Sequence, residues 1–341
     1  MPAGRSCLEA TSGSVRPVPA RDQALNDQPA PAVASPAVAV ALAAGVCGAI
    51  QPKINAVLGS RVGSTLIASL VNFAVALVVV AVALLLRPGT RGMLRRLPSW
   101  PVPRWTLTAG LGGALIVVAG TLAVDTIGVA IFSVAFFAGQ ISFGALVDWL
   151  GVGPGGRRPV TPGRMQAATV AVAAVVISQV GRPVGEFAPA LVALVVAAGA
   201  ALAFQSAFNG RITVATGDAF TATTVNVTVG IAALAAIIAV GAVAGRVDAP
   251  QWPGEPWLYA GGLLGVTVVL SLAFATPALG VLWATLVMLA AQLIAAFAVD
   301  WVVEHEAPTP GVIAGAFFIV VAAALVGRSR VELRGDAELD R

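Results

Sequence analysis

From Pro36 onward the chain alternates between apolar runs of about 20 residues and short polar joints, and this pattern constrains its fold more than any other feature. Ten runs can be counted: 36–58, 64–86, 105–124, 127–150, 165–181, 189–209, 219–244, 257–276, 279–301 and 310–327. Hydrocarbon offers the backbone no hydrogen-bond partners, so segments of this kind cross a bilayer as helices. Seven of the runs contain no Asp, Glu, Lys or Arg, a purity that buried soluble helices of this length rarely show. Two boundaries rest on single residues: Asp125 between the third and fourth runs, and Pro277 between the eighth and ninth. The expectation is an all-α polytopic membrane protein of about ten transmembrane helices, with the lipid bilayer as its first partner.

Composition agrees. Charged residues make up 11% of the chain, and the mean hydropathy is +0.92. Soluble domains are about a quarter charged. The net charge of +4 does not indicate nucleic acid, because the arginines sit in a few joints beside apolar runs. Residues 1–35 are rich in Pro, Ala, Ser and charge and read as a disordered cytoplasmic tail, with a second cytoplasmic tail at 328–341. Cys7 and Cys47 form no disulfide or metal-ligand pattern.

Arginine placement gives an orientation. Arg87, Arg91, Arg95, Arg96 and Arg104 fill one joint, and Arg157, Arg158 and Arg164 fill another, neither containing an acid. Ten alternating helices put both joints on one side, and basic joints stay cytoplasmic. Both termini are therefore expected in the cytoplasm of a bacterial inner-membrane protein. Asp125, Asp248, Glu255, Glu304 and Glu306 fall on the other side.

The chain also repeats itself. Gly45, Gln51, Asn55, Gly63, Ala68 and Asn72 recur 154 residues later as Gly199, Gln205, Asn209, Gly217, Ala222 and Asn226. Gly128, Gln140, Asp148 and Trp149 recur 152 residues later as Gly280, Gln292, Asp300 and Trp301. The tripeptide Thr-Pro-Gly at 161–163 returns at 309–311. Polar pairs in constant register are hard to obtain by chance in membrane sequence. The repeats run over 36–181 and 189–327 and hold five helices each. Five is odd, so the second copy enters the membrane from the opposite side. Inverted repeats of this kind mark secondary transporters, with the substrate at the repeat interface.

The five-plus-five layout, the doubled Gln-x-x-x-Asn followed by Val-Asn, and Gly139-Gln140 leading to Asp148-Trp149 resemble the drug/metabolite transporter superfamily. Within it they resemble the YdcZ-type branch of inner-membrane exporters, over about residues 37–328. The resemblance implies a basket of helices around a central cavity, with the fifth and tenth helices peripheral. It gives no substrate.

The amides mark the candidate substrate-binding residues. Buried unpaired amides are expensive, so they must face the protein interior. Gln140 and Gln292 fall near the midpoints of their helices. Gln51, Asn55 and Asn72 lie toward the outer side, and Gln205, Asn209 and Asn226 toward the cytoplasmic side. A central glutamine pair would contact substrate and the flanking clusters would gate it. The competing reading is that the amides merely join helices. Lys53, the sole lysine, has alanine at the paired position 207 and reads as a snorkelling side chain or as an ionisable contact at the cavity mouth. Pro52 is expected to kink the first helix. Asp148 and Asp300, beside Trp149 and Trp301, read as interfacial anchors.

No catalytic motif is present, and neither a cofactor nor a metal is expected; without a P-loop the chain cannot itself hydrolyse ATP. The expected function is secondary transport, by export, of a small metabolite or amphiphile. The alternative is a non-transporting membrane scaffold or subunit. Gly-x-x-x-Gly at 311–315 suggests a homodimer face on the tenth helix, and a second copy of the pattern occurs at 261–265.

Overall fold

A computed structural model of the chain describes residues 34–154, 156–157, 161–180, 188–245, 249–303, 305 and 307–339, with side chains omitted at 34–35, 272–274, 276–286 and 326–339. The tail at 1–35 lies outside the described residues except for its last two, which begin the first helix.

Among the described residues all regular structure is helical. The elements are α1 (Ala34–Val62), α2 (Thr65–Leu86), α3 (Pro88–Arg95), α4 (Ala109–Ile127), α5 (Val129–Leu150), α6 (Pro162–Ser178), α7 (Pro189–Thr216), α8 (Ala219–Val243), α9 (Gly261–Val303) and α10 (Pro310–Leu339). Short 3₁₀ turns at Leu97–Ser99, Arg104–Thr108 and Pro256–Tyr259 lead into the helices that follow. Among the described residues six helical segments are long and apolar enough to cross a bilayer, and four shorter apolar ones accompany them: Pro162–Ser178, Gly261–Ser271, Val287–Val303 and Pro310–Leu325.

Helices outrun the apolar runs where nothing stops the backbone. α7 continues seven residues past the run ending at 209 and halts only at Gly217. That glycine has φ of 70°, and its repeat mate Gly63, ending α1, has φ of 81°. Both lie in the left-handed region that glycine enters without steric cost. The next residue caps the following helix in each case: Ser64 accepts from the Ile67 N–H, and Asp218 from the N–H groups of Phe220 and Thr221. α10 runs to Leu339, so the segment expected as a C-terminal tail from 328 is helical.

α9 spans both the eighth and the ninth expected helices. Its two ends nevertheless run oppositely along α1. Gly261 adjoins Asn55 and Gly265 adjoins Gln51, whereas Ala291 adjoins Gly45 and Gln292 adjoins Gly48. A straight helix rises about 1.5 Å per residue, which would separate 265 from 292 by about 40 Å. Their neighbours Gln51 and Gly48 are one turn apart, so the run doubles back between them.

Joints gather at two ends. At one, Thr90 donates to Asp218, Arg211 donates to the carbonyls of Gly151 and Val152, and Trp105 meets Phe208 edge-on. The arginine-rich joints lie at this end. At the other, Arg61 faces Glu255 at 3.4 Å, the Gln251 N–H donates to the Val62 carbonyl, and Lys53 meets Asp125.

Small residues set the helix spacing. A Cβ on Gly199 of α7 would collide with the Phe136 carbonyl of α5, and one on Gly45 with the Met288 carbonyl of α9. α6 packs along α10, where Gly311 rests on the carbonyls of Ile177 and Val180, and Gly315 on Ala174 and Ser178. The fifth and tenth helices are thus each other's neighbours. The glycines expected to form a homodimer face are covered by α6 of the same chain, and those of 261–265 by α1 and α2.

Candidate functional site: two amide clusters and a clamped turn

Gln51 and Asn55 are four residues apart on α1, so both side chains leave the same face. They meet Asn72 on α2. Its Oδ1 accepts from Gln51 Nε2 at 3.2 Å and from Asn55 Nδ2 at 3.1 Å. Asn55 and Asn72 are buried, and Gly261 and Gly265 of α9 cover the cluster with no side chain of their own. These three amides come together, with one buried acceptor, Asn55 Oδ1, left without a partner among the described residues.

The second cluster is built from the same residue types but joined differently. Gln205 and Asn209 lie on α7, and Asn226 is buried on α8. The Gln205 Oε1 lies against Gly112 and Gly113 of α4, and the Asn226 Oδ1 against Gly113. No hydrogen bond joins the three among the described residues, and the buried Gln205 Oε1 and Asn209 Oδ1 have no partner there. Free buried acceptors are costly unless something fills them. This cluster can therefore receive a donor, whether water or an N–H or O–H group of a ligand.

The two central glutamines sit at helix contacts. Gln292, on α9, is buried with its side-chain amide against Gly48 of α1. Gln140, on α5, is partly buried, its backbone N–H beside Gly199 of α7. Neither lines the two clefts of about 350 and 310 Å³ that open beside the α1–α2 turn. Those clefts share Ser60, Gly63 and Ser64, and the second reaches Thr121 and Asp125.

The chain matches the family model described as "Putative inner membrane exporter, YdcZ" over residues 36–177 and 190–325. The protein belongs to this YdcZ family of the drug/metabolite transporters. It is a multi-pass inner-membrane protein of an exporter family, not of an enzyme family. No curated protein matches the chain.

Several residues of this YdcZ-family chain do what its sequence left undecided. Lys53 does not reach for water: its Nζ donates to Asp125 Oδ1 at 2.6 Å, and its side chain is only 13% exposed. Asp300 is not an interfacial anchor. It is buried, and its carboxylate accepts from the N–H groups of Val129 and Ala130, both at 2.8 Å, capping α5 from another helix. Its repeat mate Asp148 pairs with the buried Arg164 at 3.0 Å. The adjacent Trp149 and Trp301 are exposed, as interfacial tryptophans should be. Hydropathy carries no signal for such cross-helix partners; the clue available was that the sole lysine and a joint aspartate share a depth.

At the arginine-rich end Asp218 binds both its own helix and α3. Burial would raise its pKa, but hydrogen bonds from Thr221, Thr90 and the Phe220 N–H, with Arg87 nearby, hold it below the ordinary aspartate value. Among the described residues no group of three potential metal ligands occurs.

Proposed function

We propose that this exporter is a secondary transporter that moves a small metabolite or amphiphile by alternating access between two inverted five-helix repeats, 36–181 and 189–327. In this reading α9 supplies two crossings divided near Pro277, which brings the total to ten, and the arginine-rich end with both termini faces the cytoplasm. Matching contacts support the repeat. Gly110 rests on Asn226 and Gly230, while Gly262 rests on their mates Asn72 and Ala76. Gly199 meets Phe136 and Gln140, while Gly45 meets the mates Met288 and Gln292.

One observation carries the mechanism: two clusters of the same composition occupy paired positions, yet two hydrogen bonds to Asn72 tie one together and leave one buried acceptor, Asn55 Oδ1, unfilled, whereas none joins the other among the described residues, where Gln205 Oε1 and Asn209 Oδ1 are both unfilled. A duplicated machine caught in one state of an alternating cycle has this asymmetry. Gln51, Asn55 and Asn72 form the shut side, and Gln205, Asn209 and Asn226 the receptive side. Gln140 and Gln292 lie between them and complete the substrate contacts when the helices part. Amides without a midplane charge suit neutral, zwitterionic or amphiphilic molecules.

The tight seat of Gln292 on Gly48 favours the scaffold reading, so the test must separate the two. Purified protein in detergent is screened for thermal stabilisation by a metabolite and drug library, beside the Gln140→Ala/Gln292→Ala and Gln205→Ala/Asn209→Ala variants. A ligand at a hundred times its Kd adds about 2.7 kcal/mol of stability. Hits that stabilise the wild type and fail on either variant support transport through these amides. No hit from a well-folded sample supports a scaffold.

A further inference from the structure

The junction of α4 and α5, where residues 125–127 end α4 and Gly128 breaks the helix, is gripped from two sides. Lys53 of α1 holds Asp125 at its start, and Asp300 of α9 holds Val129 and Ala130 just past its end. Beside it α1 and α4 are in close contact. Pro52 packs on Gly120, the Thr121 methyl reaches Gly59, and Ala56 is 2% exposed. The cleft lined by Ala56, Thr121 and Asp125 opens at this contact.

The mate positions in the second repeat lack the charges for such a grip. Lys53 has Ala207 as its repeat mate, and Asp125 has Pro277. Neither can ionise. Arg164, which holds Asp148 within the first repeat, has Val312 as its mate. Exchanging the roles of the two halves, as alternating access requires, therefore exchanges an ion pair for nothing.

We infer that the Lys53–Asp125 pair, steadied by the Asp300 cap, is a latch that holds the α1–α4 side of the transport path closed, at one end of the molecule only. The inference rests on the alternating-access reading. A short charge-assisted bond joins the pair. Parting α1 from α4 breaks it, so the latch weights the population toward the state seen here.

The test measures exposure and needs no substrate. In a background carrying Cys7→Ser and Cys47→Ala, Ala56→Cys reports opening between α1 and α4 through its reaction with a membrane-impermeant maleimide. The exposed Ser60→Cys serves as the reference. Lys53→Gln is expected to raise the Ala56→Cys rate relative to the reference by about fivefold, the scale of one such pair. Asp125→Asn, at a 40% exposed side chain, should do the same and covers the case in which Lys53→Gln misfolds. The exchanged pair Lys53→Asp/Asp125→Lys should restore a rate within about twofold of the starting protein, a residual effect well under 1 kcal/mol. Unchanged rates in the single variants would overturn the latch. So would a rise that the exchange does not reverse, because Lys53 would then act only by filling space. A protein with no transported substrate still gives this readout, so the latch and the transporter reading fail separately.

Discussion

Asn72 and Asn226 offer an unusually clean comparison. Both are asparagines at paired positions, and their exposures are close, 5% and 8%. Replacing either with alanine removes the same atoms from similar surroundings, so the packing losses nearly cancel in the difference. What does not cancel is the pair of bonds that Asn72 accepts from Gln51 and Asn55. Interhelical side-chain hydrogen bonds in membranes average about 0.6 kcal/mol each and reach about 1.7. Asn72→Ala should thus cost about 1.2 kcal/mol more than Asn226→Ala, and somewhat beyond that if the stranded Gln51 and Asn55 amides find no new acceptor. The assay is reversible unfolding in mixed dodecyl maltoside and SDS micelles, followed by far-UV circular dichroism. A double-mutant cycle of Asn72→Ala with Gln51→Ala should return a coupling near one bond. Equal costs for the two asparagines, or a larger cost at Asn226, would refute the claim that one cluster is bonded and the other open.

Other expectations follow from local features. Gly199→Ala should destabilise by about 1–3 kcal/mol, since its Cβ would press into the Phe136 carbonyl, whereas Gly89→Ala in the open helix α3 should be neutral or mildly stabilising in the same unfolding assay. Asp218 has a depressed carboxyl pKa in the folded state, so its contribution is present above the unfolded aspartate value and lost as pH falls through the folded one. A thermal series from pH 6 to 3 should therefore show the gap between wild type and Asp218→Ala, about 1 kcal/mol for a lost cap, closing from about pH 4 downward. Arg164→Met should leave Asp148 without its cation in a poorly solvated site and lower the melting temperature, while Arg164→Met/Asp148→Asn should recover part of the loss.

What could be read from the sequence followed from what hydropathy and spacing encode. Long apolar runs fixed the helices because a bilayer leaves the backbone no alternative. Gln51, Asn55 and Asn72 could be grouped because positions four apart share a helix face and the repeat supplied the rest. Contacts between distant segments were not encoded in this way. A helix-end acid beside tryptophan, such as Asp300, looks the same in sequence whether it meets water or caps another helix. Asp125, which pairs with Lys53, lies 72 residues away, beyond the reach of spacing rules. The glycines at 311 and 315 signalled a close approach but not the identity of the approaching helix, which is α6. The unequal bonding of the two amide clusters had no counterpart in a sequence whose two copies there are alike.

The caps at Gly63–Ser64 and Gly217–Asp218 have a consequence for how the chain enters the bilayer. Each joins two long apolar helices through a two-residue reversal, so closing the hairpin gives up very little chain entropy. The stop for the first helix and the start of the second lie side by side, and no third helix is needed to form either. α1 with α2, and α7 with α8, are therefore each suited to leave the translocation machinery as a single unit. The amides they share, Gln51 with Asn72 above all, would then come together before the rest of the bundle has been made.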